Sequence, residues 1–312
     1  MASQTPTRVA EHPLNVVLRP QSPAEAAYRS AVLAPGFPAD ASLDLRYLGG
    51  KTIPRLTFTS VYLGLWDAAE RAHLDRALAA AMADPHLNNV LEQYFAGPIG
   101  STFLGSRVHA GVGSRVYRDT IEGLVAELDQ AGTFAALNLP VSVVCLLLPH
   151  GTVLVDGDSS GHGQQVDSLR GLGGYHGSVH VRRGGRRRET VYYVVAVYSE
   201  GANGILAFPE PWQNVCATLY HELCEVRTDP DVEDAIRAGA TPAAERLLGW
   251  YSPRGGEIGD IPMAEAQGDL DLVMREVPLA DGSGMVPIQL MWSNAVAGPE
   301  GPISRPHPAS RQ

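Results

Sequence analysis

The most informative segment of the chain runs Tyr220-His-Glu-Leu-Cys-Glu-Val-Arg-Thr-Asp-Pro230. It lies within a longer pattern, Trp212–Arg227, whose apolar residues recur at helical spacing: Val215, Leu219 and Leu223. Proline cannot continue a helix, so Pro230 ends this one. We therefore predict a helix that packs an apolar stripe against the core and carries polar residues beside that stripe.

Two potential metal ligands stand four residues apart on this helix. That spacing puts the side chains of His221 and Glu225 on one face, with their Cβ atoms about 6 Å apart. An imidazole nitrogen and a carboxylate oxygen both bind zinc and related divalent cations. Glu222 occupies the position at which H-E-x-x-H metallopeptidases carry their general base, although this chain reads H-E-x-x-E. The pattern predicts a metal site, and the alternative is a His–Glu ion pair on a solvated helix face.

A third ligand must come from another segment. The candidates are the acidic and histidine residues on either side of the helix: Asp229, Asp231, Glu257, Asp260, His176 and His180. The segment Gly255-Gly-Glu-Ile-Gly-Asp260 places glycines beside two carboxylates, which lets the backbone approach a cation closely. The glycines therefore favour Glu257 or Asp260 as the third ligand, and the sequence does not distinguish between the two. Asp229 precedes a proline and a new helical pattern, which is typical of a helix N-cap.

His176 lies before a predicted strand, in Gly174-Tyr-His-Gly-Ser178. It is a candidate metal ligand or a catalytic residue that stabilises an oxyanion, and a structural histidine is the alternative.

The fold class follows from the order of the predicted elements. Strands are predicted at 56–63, 141–148 and 286–292, and a hairpin joins 179–181 to 190–198. Helices are predicted at 68–82, with Asp67 as N-cap, and at 88–94, 120–131, 212–227 and 231–239. Strands and helices do not alternate regularly, which favours an α+β fold over a doubly wound sheet. We expect an N-terminal arm at 1–44, one domain at 45–298 and a C-terminal tail at 299–312.

Composition limits the partners of the protein. The chain has 312 residues, of which 45% are hydrophobic, so it can bury a sizeable core. Its net charge of −10 opposes binding to nucleic acid or to anionic lipid. It contains no apolar run of about 18 residues and no signal-peptide pattern. We therefore expect a cytoplasmic protein, or a secreted one if a leader is missing from the sequence.

The three cysteines, Cys145, Cys216 and Cys224, fit no cysteine-based zinc pattern. Cys145 lies in an apolar run and the other two lie on the predicted helix. We expect all three to pack as small buried hydrophobic residues.

Several short segments, taken in order, carry a resemblance to a known group. Tyr220–Pro230 resembles the HEL-x-E-x-x-TDP segment of an uncharacterised group of bacterial and fungal zincin-like proteins, and Gly249-Trp-Tyr-Ser252 with Gly256-Glu-Ile-Gly-Asp260 is similar to its GWYD and GEIGD segments. The opening Gly49-Gly50 with Tyr62-Leu-Gly-Leu-Trp66 is similar to a segment shared with plant phosphate-induced, exordium-like proteins. Further similar segments are Leu147-Leu-Pro-His-Gly-Thr152, Gly174-Tyr-His-Gly-Ser178 and Gln289-Leu-Met-Trp-Ser-Asn294.

The resemblance covers about residues 45–298 and implies a single zincin-like domain with a mixed sheet, an active-site helix and long loops. It also implies that His221, Glu222 and Glu225 form the centre of the site. This sequence departs from the group at Ser252, where the group has Asp, and it lacks the group's cysteines near Asp260.

We therefore expect a metal-dependent hydrolase that acts on a peptide or amide bond of a peptide or small-molecule substrate. His221 and Glu225, with Asp260 or Glu257, would hold the metal, and Glu222 would act as general base. Zinc is the expected metal, with manganese or iron as alternatives, because the ligand set is rich in carboxylates. Two other hypotheses remain: a non-haem iron oxygenase with two histidines and one carboxylate, and a non-catalytic metal-binding module.

Overall fold

The computed structural model describes residues 33–160, 165–183 and 187–310. Within these ranges the helices are α1 Ala68–Ala83, α2 Pro85–Leu91, α3 Arg118–Gln130, α4 Pro211–Thr228, α5 Val232–Ala238, α6 Pro242–Glu245 and α7 Asp260–Glu265. The strands are β1 Arg46–Tyr47, β2 Arg55–Leu63, β3 Gly100–His109, β4 Arg115–Tyr117, β5 Ser142–Leu147, β6 Val153–Asp156, β7 Val166–Asp167, β8 Gly174–Arg183, β9 Arg187–Ala196, β10 Trp250–Tyr251, β11 Met274–Pro278, β12 Met285–Gln289, β13 Met291–Ser293 and β14 Gly298–Glu300.

The largest sheet is mixed and has the strand order β3-β2-β5-β9-β8. Strands β3, β2, β5 and β9 run parallel, and β8 pairs antiparallel with β9 at one edge. The four smaller sheets contain two or three strands each. The α+β class and the mixed sheet predicted from the sequence are therefore confirmed.

The central strand β5 shows why this sheet forms. Successive side chains of a strand point to opposite faces, so its apolar run can bury both faces at once. Val143, Cys145 and Leu147 join the core on the α4 side, together with Leu219 and Leu223. On the other face, Val144, Leu146 and Leu148 join the core that includes Ile121, Val125 and Leu128 of α3. The predicted buried strand is thus confirmed, and all three cysteines are buried and free.

Helix α4 lies in the middle of the molecule. Pro211 stands in its first turn, and Glu210 with Gln213 forms a reciprocal capping box at its N-terminus. The helix packs against α1, β8, β9 and β12, so most of its side chains are buried. It ends at Thr228, one residue beyond the prediction, and Asp229 is its C-cap residue. The polar residues of the helix are therefore held inside the protein rather than at its surface.

Two features of the sheets differ from the sequence prediction. Strand β3 was not predicted, because it lies at a sheet edge and most of its side chains are partly or fully exposed, which removes the apolar signal. The single strand predicted at 286–292 is wrong. It forms two short strands with different partners, β12 with β11 and β13 with β14, and Leu290 between them donates its N–H to Val273 O.

The chain ends and the loops complete the description. Most of the expected N-terminal arm, residues 1–32, lies outside the described residues, whereas Leu33 bridges to Glu300 and Ala34 N donates to Pro299 O. Between β5 and β8 the chain forms the short strands β6 and β7. No helix in the described ranges is long and apolar enough to cross a membrane.

Two glycines allow close backbone packing near β10, where Gly249 approaches the end of α4 and Gly50 approaches residues 247–248. A Cβ at Gly249 would lie 2.2 Å from Thr228 O, and a Cβ at Gly50 would lie 2.1 Å from Leu247 O. Because these are backbone atoms, they cannot move aside as a flexible side chain could. Gly249 N also donates to Asp229 Oδ1 at 2.9 Å, which fixes this carboxylate next to the helix end.

We predict that Gly249→Ala lowers the free energy of unfolding by about 3 kcal/mol through this overlap. Gly123→Ala is the control, because the glycine lies within α3 and no atom stands within 4 Å of its added Cβ. There the change should raise stability by about 0.5–1 kcal/mol. Urea titration measures both values, and equal stability of the two variants would contradict the prediction.

Candidate metal centre

The centre is built on one face of α4. His221 Nε2 lies 3.2 Å from Glu225 Oε2, as expected for side chains one helical turn apart. The Glu225 side chain is 3% exposed and that of His221 is 12% exposed, so this pair does not lie on a solvated helix face. A buried carboxylate needs compensation, and its surroundings supply it in several ways.

The N-terminus of α7 provides the first of these contacts. Glu225 Oε1 accepts the backbone N–H of Gly259 at 3.2 Å and that of Asp260 at 3.1 Å. Gly259 must lack a side chain here, since a Cβ would lie 2.5 Å from His221 Nδ1. This close approach brings Asp260 Oδ1 to 3.8 Å from His221 Nε2. Asp260 is the outermost of these groups, with a side chain that is 59% exposed.

Gln289 of β12 orients the histidine. His221 Nδ1 donates to Gln289 Oε1 at 2.8 Å, and Gln289 Nε2 donates to Gly259 O at 2.6 Å. Because Gln289 accepts from Nδ1, His221 turns Nε2 toward the two carboxylates, where Nε2 can carry a proton or, once neutral, bind a cation. We predicted no role for Gln289 from the sequence. The only signal was its place at the start of the resembling segment Gln289–Asn294.

Strand β8 brings a second histidine to the opposite side of Glu225. His176 Nδ1 donates to Glu222 Oε2 at 3.1 Å and lies 3.6 Å from Glu225 Oε2. Its Nε2 lies 3.6 Å from Glu257 Oε1. All four of these side chains are at most 8% exposed.

The cluster therefore contains two overlapping groups of potential ligands. In each group, one ligand atom per residue lies within 4.8 Å of the others: His221, Glu225 and Asp260 form the first, and His176, Glu225 and Glu257 form the second. The sequence pattern did not distinguish between Asp260 and Glu257 as the third ligand. In the structure both lie close to Glu225, each in a different group.

The other ligand candidates have different partners. His180 pairs with Asp234 at 3.0 Å. Asp231 accepts from the Tyr192 hydroxyl at 2.8 Å and is the N-cap residue of α5. Asp229 is not the N-cap that its sequence context suggested. It caps the end of α4 and accepts from Gly249 N, and its buried Oδ2 has no hydrogen-bond partner within the described part of the chain.

Close packing of like charges dominates the electrostatics. The negative charge of Glu225 raises the pKa of Asp260 to about 7, and burial raises that of Asp229 to about 7. Burial and the charges of Glu225 and Asp229 hold the pKa of Glu257 well above its usual value. Burial opposes a charge on His221, but Glu225 outweighs it, so the pKa of His221 lies well above its usual value. The site attracts positive charge, as protons or as cations.

A small cavity opens onto the first group. Its volume is about 200 Å³, and His221, Glu222 and Asp260 line it together with apolar residues that include Leu172, Ile205, Met263 and Met274. Glu257 and His176 do not line it. A larger, mostly apolar groove of about 520 Å³ between α5 and α6 contains none of these ligands.

The first group fits a divalent cation by distance and by chemistry. In a tetrahedral zinc site with bonds of about 2.1 Å, neighbouring ligand atoms lie about 3.4 Å apart. The distances of 3.2 Å and 3.8 Å from His221 Nε2 to the two carboxylates bracket this value. One imidazole and two carboxylates suit zinc, manganese or iron.

Comparisons of this chain with protein-family models, with curated proteins and with solved structures find no significant match. The interpretation of the site therefore depends on its geometry and on the sequence pattern.

We predict that Gln289→Met weakens metal binding about 10–100-fold, because the variant keeps every ligand but loses the group that fixes the His221 tautomer. Competition titration of the metal-free protein with zinc and a chromogenic chelator gives the affinity. Glu265→Gln is the control, since Glu265 is exposed on α7, and its affinity should not change. Equal affinities for Gln289→Met and the wild type would show that Gln289 does not orient the ligand.

The metal-free protein should lose stability as the pH rises. The raised pKa of Asp229 and of Asp260 means that each binds its proton more tightly in the folded state, so their contribution is complete below about pH 4 and is lost as the pH passes about 7. The pKa values of His176 and His221 are also raised in the folded state. These histidines therefore stabilise the folded protein fully below about pH 6.5, and this contribution is lost as the pH rises through their raised pKa values.

Chelator-treated protein should therefore unfold more easily at about pH 8 than at about pH 5.5. The buried Asp229 alone accounts for a difference of about 1.4 kcal/mol or more, and solvent screening makes the contribution of the exposed Asp260 small. Zinc at about 100 times its dissociation constant should add about 2.7 kcal/mol at the higher pH. Urea titrations at the two pH values test both statements. A metal-free protein that is more stable at the higher pH would contradict them.

Proposed function

We propose that the protein is a metal-dependent hydrolase that acts on a peptide or amide bond. His221, Glu225 and Asp260 would hold the cation, and Glu222 would be the general base. The observation that carries this proposal is that His221, Glu225 and Asp260 form one ligand group, and that two of them, His221 and Asp260, line a cavity together with Glu222. A catalytic metal site keeps one side open to substrate, and this group has that property.

A divalent cation in this group supplies Lewis-acid chemistry, since it polarises a carbonyl oxygen and lowers the pKa of coordinated water. The residues of the chain supply the rest. Glu222 Oε1 lies 4.0 Å from His221 Nε2 and faces the cavity, where it can take the proton of the attacking water. The Nδ1–H of His176 holds the other oxygen, Glu222 Oε2, so His176 acts as a positioning residue for the base.

The cavity also limits the substrate. Its wall combines glycines 171, 173 and 174 with Leu172, Ile205, Met263 and Met274. A volume of about 200 Å³ accommodates one small or medium apolar group beside the reacting bond. We propose a peptide or small amide with such a group, and the negative net charge of the chain argues against nucleic acid as substrate.

The same helix with its H-E-x-x-E pattern, packed against a mixed sheet with one antiparallel edge strand, is consistent with a zincin-like domain. We propose this relationship on the ordered segments of sequence described above. The iron oxygenase hypothesis needs two histidines on one ion. His176 and His221 fall in different ligand groups, and His180 pairs with Asp234, so no observation favours that hypothesis over the hydrolase.

We predict that His221→Ala lowers the zinc content by one equivalent per chain, whereas Glu222→Gln keeps the metal and lowers turnover about 10²–10⁴-fold, as expected for loss of a general base. Elemental analysis gives the metal content. Mass spectrometry of a mixed peptide library, with and without enzyme, gives turnover. The control is His109→Ala, because this histidine lies at the end of β3, where its Nδ1 contacts only the adjacent Ala110 O.

Equal zinc content in His221→Ala and the wild type would contradict the metal assignment. Full peptide cleavage by Glu222→Gln would contradict its role as base. A wild-type protein that binds zinc at this group but cleaves no peptide would favour the non-catalytic module.

A further inference from the structure

We propose that the site binds two divalent cations, and that the second lies behind the first, held by His176 and Glu257 with Glu225 shared between them. This inference rests on the proposed function only in that it places the first cation at His221, Glu225 and Asp260. The second group has its own histidine, His176, and its own carboxylate, Glu257, and it shares only Glu225 with the first group.

Buried atoms without partners mark the second position. Three polar atoms in this part of the cluster have no hydrogen-bond partner among the described residues: His176 Nε2, Glu257 Oε1 and Asp229 Oδ2. All three residues are at most 6% exposed. Each unpaired polar atom costs about 1–3 kcal/mol when buried, and two of the three, His176 Nε2 and Glu257 Oε1, belong to one ligand group that a single cation could satisfy.

The geometry between these atoms suits a cation better than a proton. His176 Nε2 and Glu257 Oε1 lie 3.6 Å apart. This exceeds the range of about 2.7–3.2 Å for a hydrogen bond between them. It is close to the separation of about 3.4 Å between two ligands of one zinc ion. A cation between the two atoms would bond both.

The hydrogen bond at His176 Nδ1 leaves Nε2 available to bind a cation. Nδ1 donates to Glu222 Oε2 at 3.1 Å, which places the proton on Nδ1 and leaves the lone pair on Nε2, facing Glu257. A carboxylate that orients a histidine in this way is the usual support of a metal-binding imidazole. Glu222 would thus serve both positions, as base for the first and as orienting group for the second.

Charge balance also favours two cations. The cluster contains five carboxylates, namely Glu222, Glu225, Asp229, Glu257 and Asp260. Their ion pairs involve only His176 and His221, and no arginine or lysine among the described residues pairs with them. Arg227, on the same helix, binds Asn88 and Ser101 instead. Bound metal ions displace the protons that these groups hold in the metal-free protein, which leaves neutral imidazoles and ionised carboxylates. In that state one divalent cation compensates two of the five negative charges and two cations compensate four.

The two positions differ in access. The first opens to the cavity through His221, Glu222 and Asp260. In the second, every ligand residue is buried, as in a closed structural site. The shared carboxylate would link them, as in hydrolases with paired metals about 3.5–4 Å apart. The inner cation would compensate charge and fix Glu225, while the outer one faces the substrate.

Zinc stoichiometry tests this arrangement. Chelator-treated full-length protein is dialysed against zinc and analysed for bound metal per chain. We expect two equivalents in the wild type, one in Glu257→Gln, one in His221→Ala and two in the exposed control Glu265→Gln. Glutamine matches the shape of Glu257 and removes its charge, so Glu257→Gln should fold, and circular dichroism of the metal-free variants checks this.

The other outcomes separate the two assignments. One zinc in the wild type, kept in Glu257→Gln and lost in His221→Ala, overturns the second site and leaves the proposed function standing. One zinc that is kept in His221→Ala and lost in Glu257→Gln overturns both the pair and the proposed catalytic site. If Glu257→Gln does not fold, anomalous diffraction at the zinc edge from wild-type crystals decides, since two peaks at the cluster support the proposal and a single peak overturns it.

Discussion

The interaction on which the site depends is the compensation of one buried anion, Glu225. Its Oε1 accepts two backbone N–H groups at the start of α7, and its Oε2 faces the imidazoles of His221 and His176. A buried carboxylate is costly unless such contacts surround it. Each contact comes from a different part of the chain: the helix itself, the edge strand β8 and the segment before α7. Satisfying this one carboxylate therefore brings three distant segments together.

The position of α4 explains why the carboxylate is buried. Its apolar side chains pack against the sheet, and β12 and α1 cover its other faces, while His221 and Glu222 line the small cavity. Burial weakens screening, so charges in the cluster act strongly on one another. The glycines at positions 249 and 259 permit the close backbone approach that closes the arrangement. The packing of the core and the electrostatics of the site are thus two consequences of one helix placement.

The cluster as a whole contains more carboxylates than basic side chains. Ordinary structural ion pairs match one carboxylate with one cation, whereas here several carboxylates share two histidines and the neighbouring arginine binds neutral partners. An arrangement of this kind is stable when protons or metal ions bind to it. The open side of the cluster faces a partly apolar cavity, which is where a substrate carbonyl would reach the outer ligands.

Local sequence patterns were enough to predict several elements and the helical part of the site. Periodicity predicted α1, α4 and β5, and the four-residue spacing predicted that His221 and Glu225 share a face, because these properties depend only on neighbouring residues. The contacts of Asp260 with Glu225, of His176 with Glu222 and of Gln289 with His221 became visible only in the folded structure, because they join residues 35, 46 and 68 positions apart and no local pattern encodes them. The folded structure also showed that Asp260 and Glu257 lie in different groups and that Asp229 caps α4. The edge strand β3 was not predicted for a related reason. Its exposed residues carry no periodic signal, and its pairing with β2 joins residues that are far apart in the sequence.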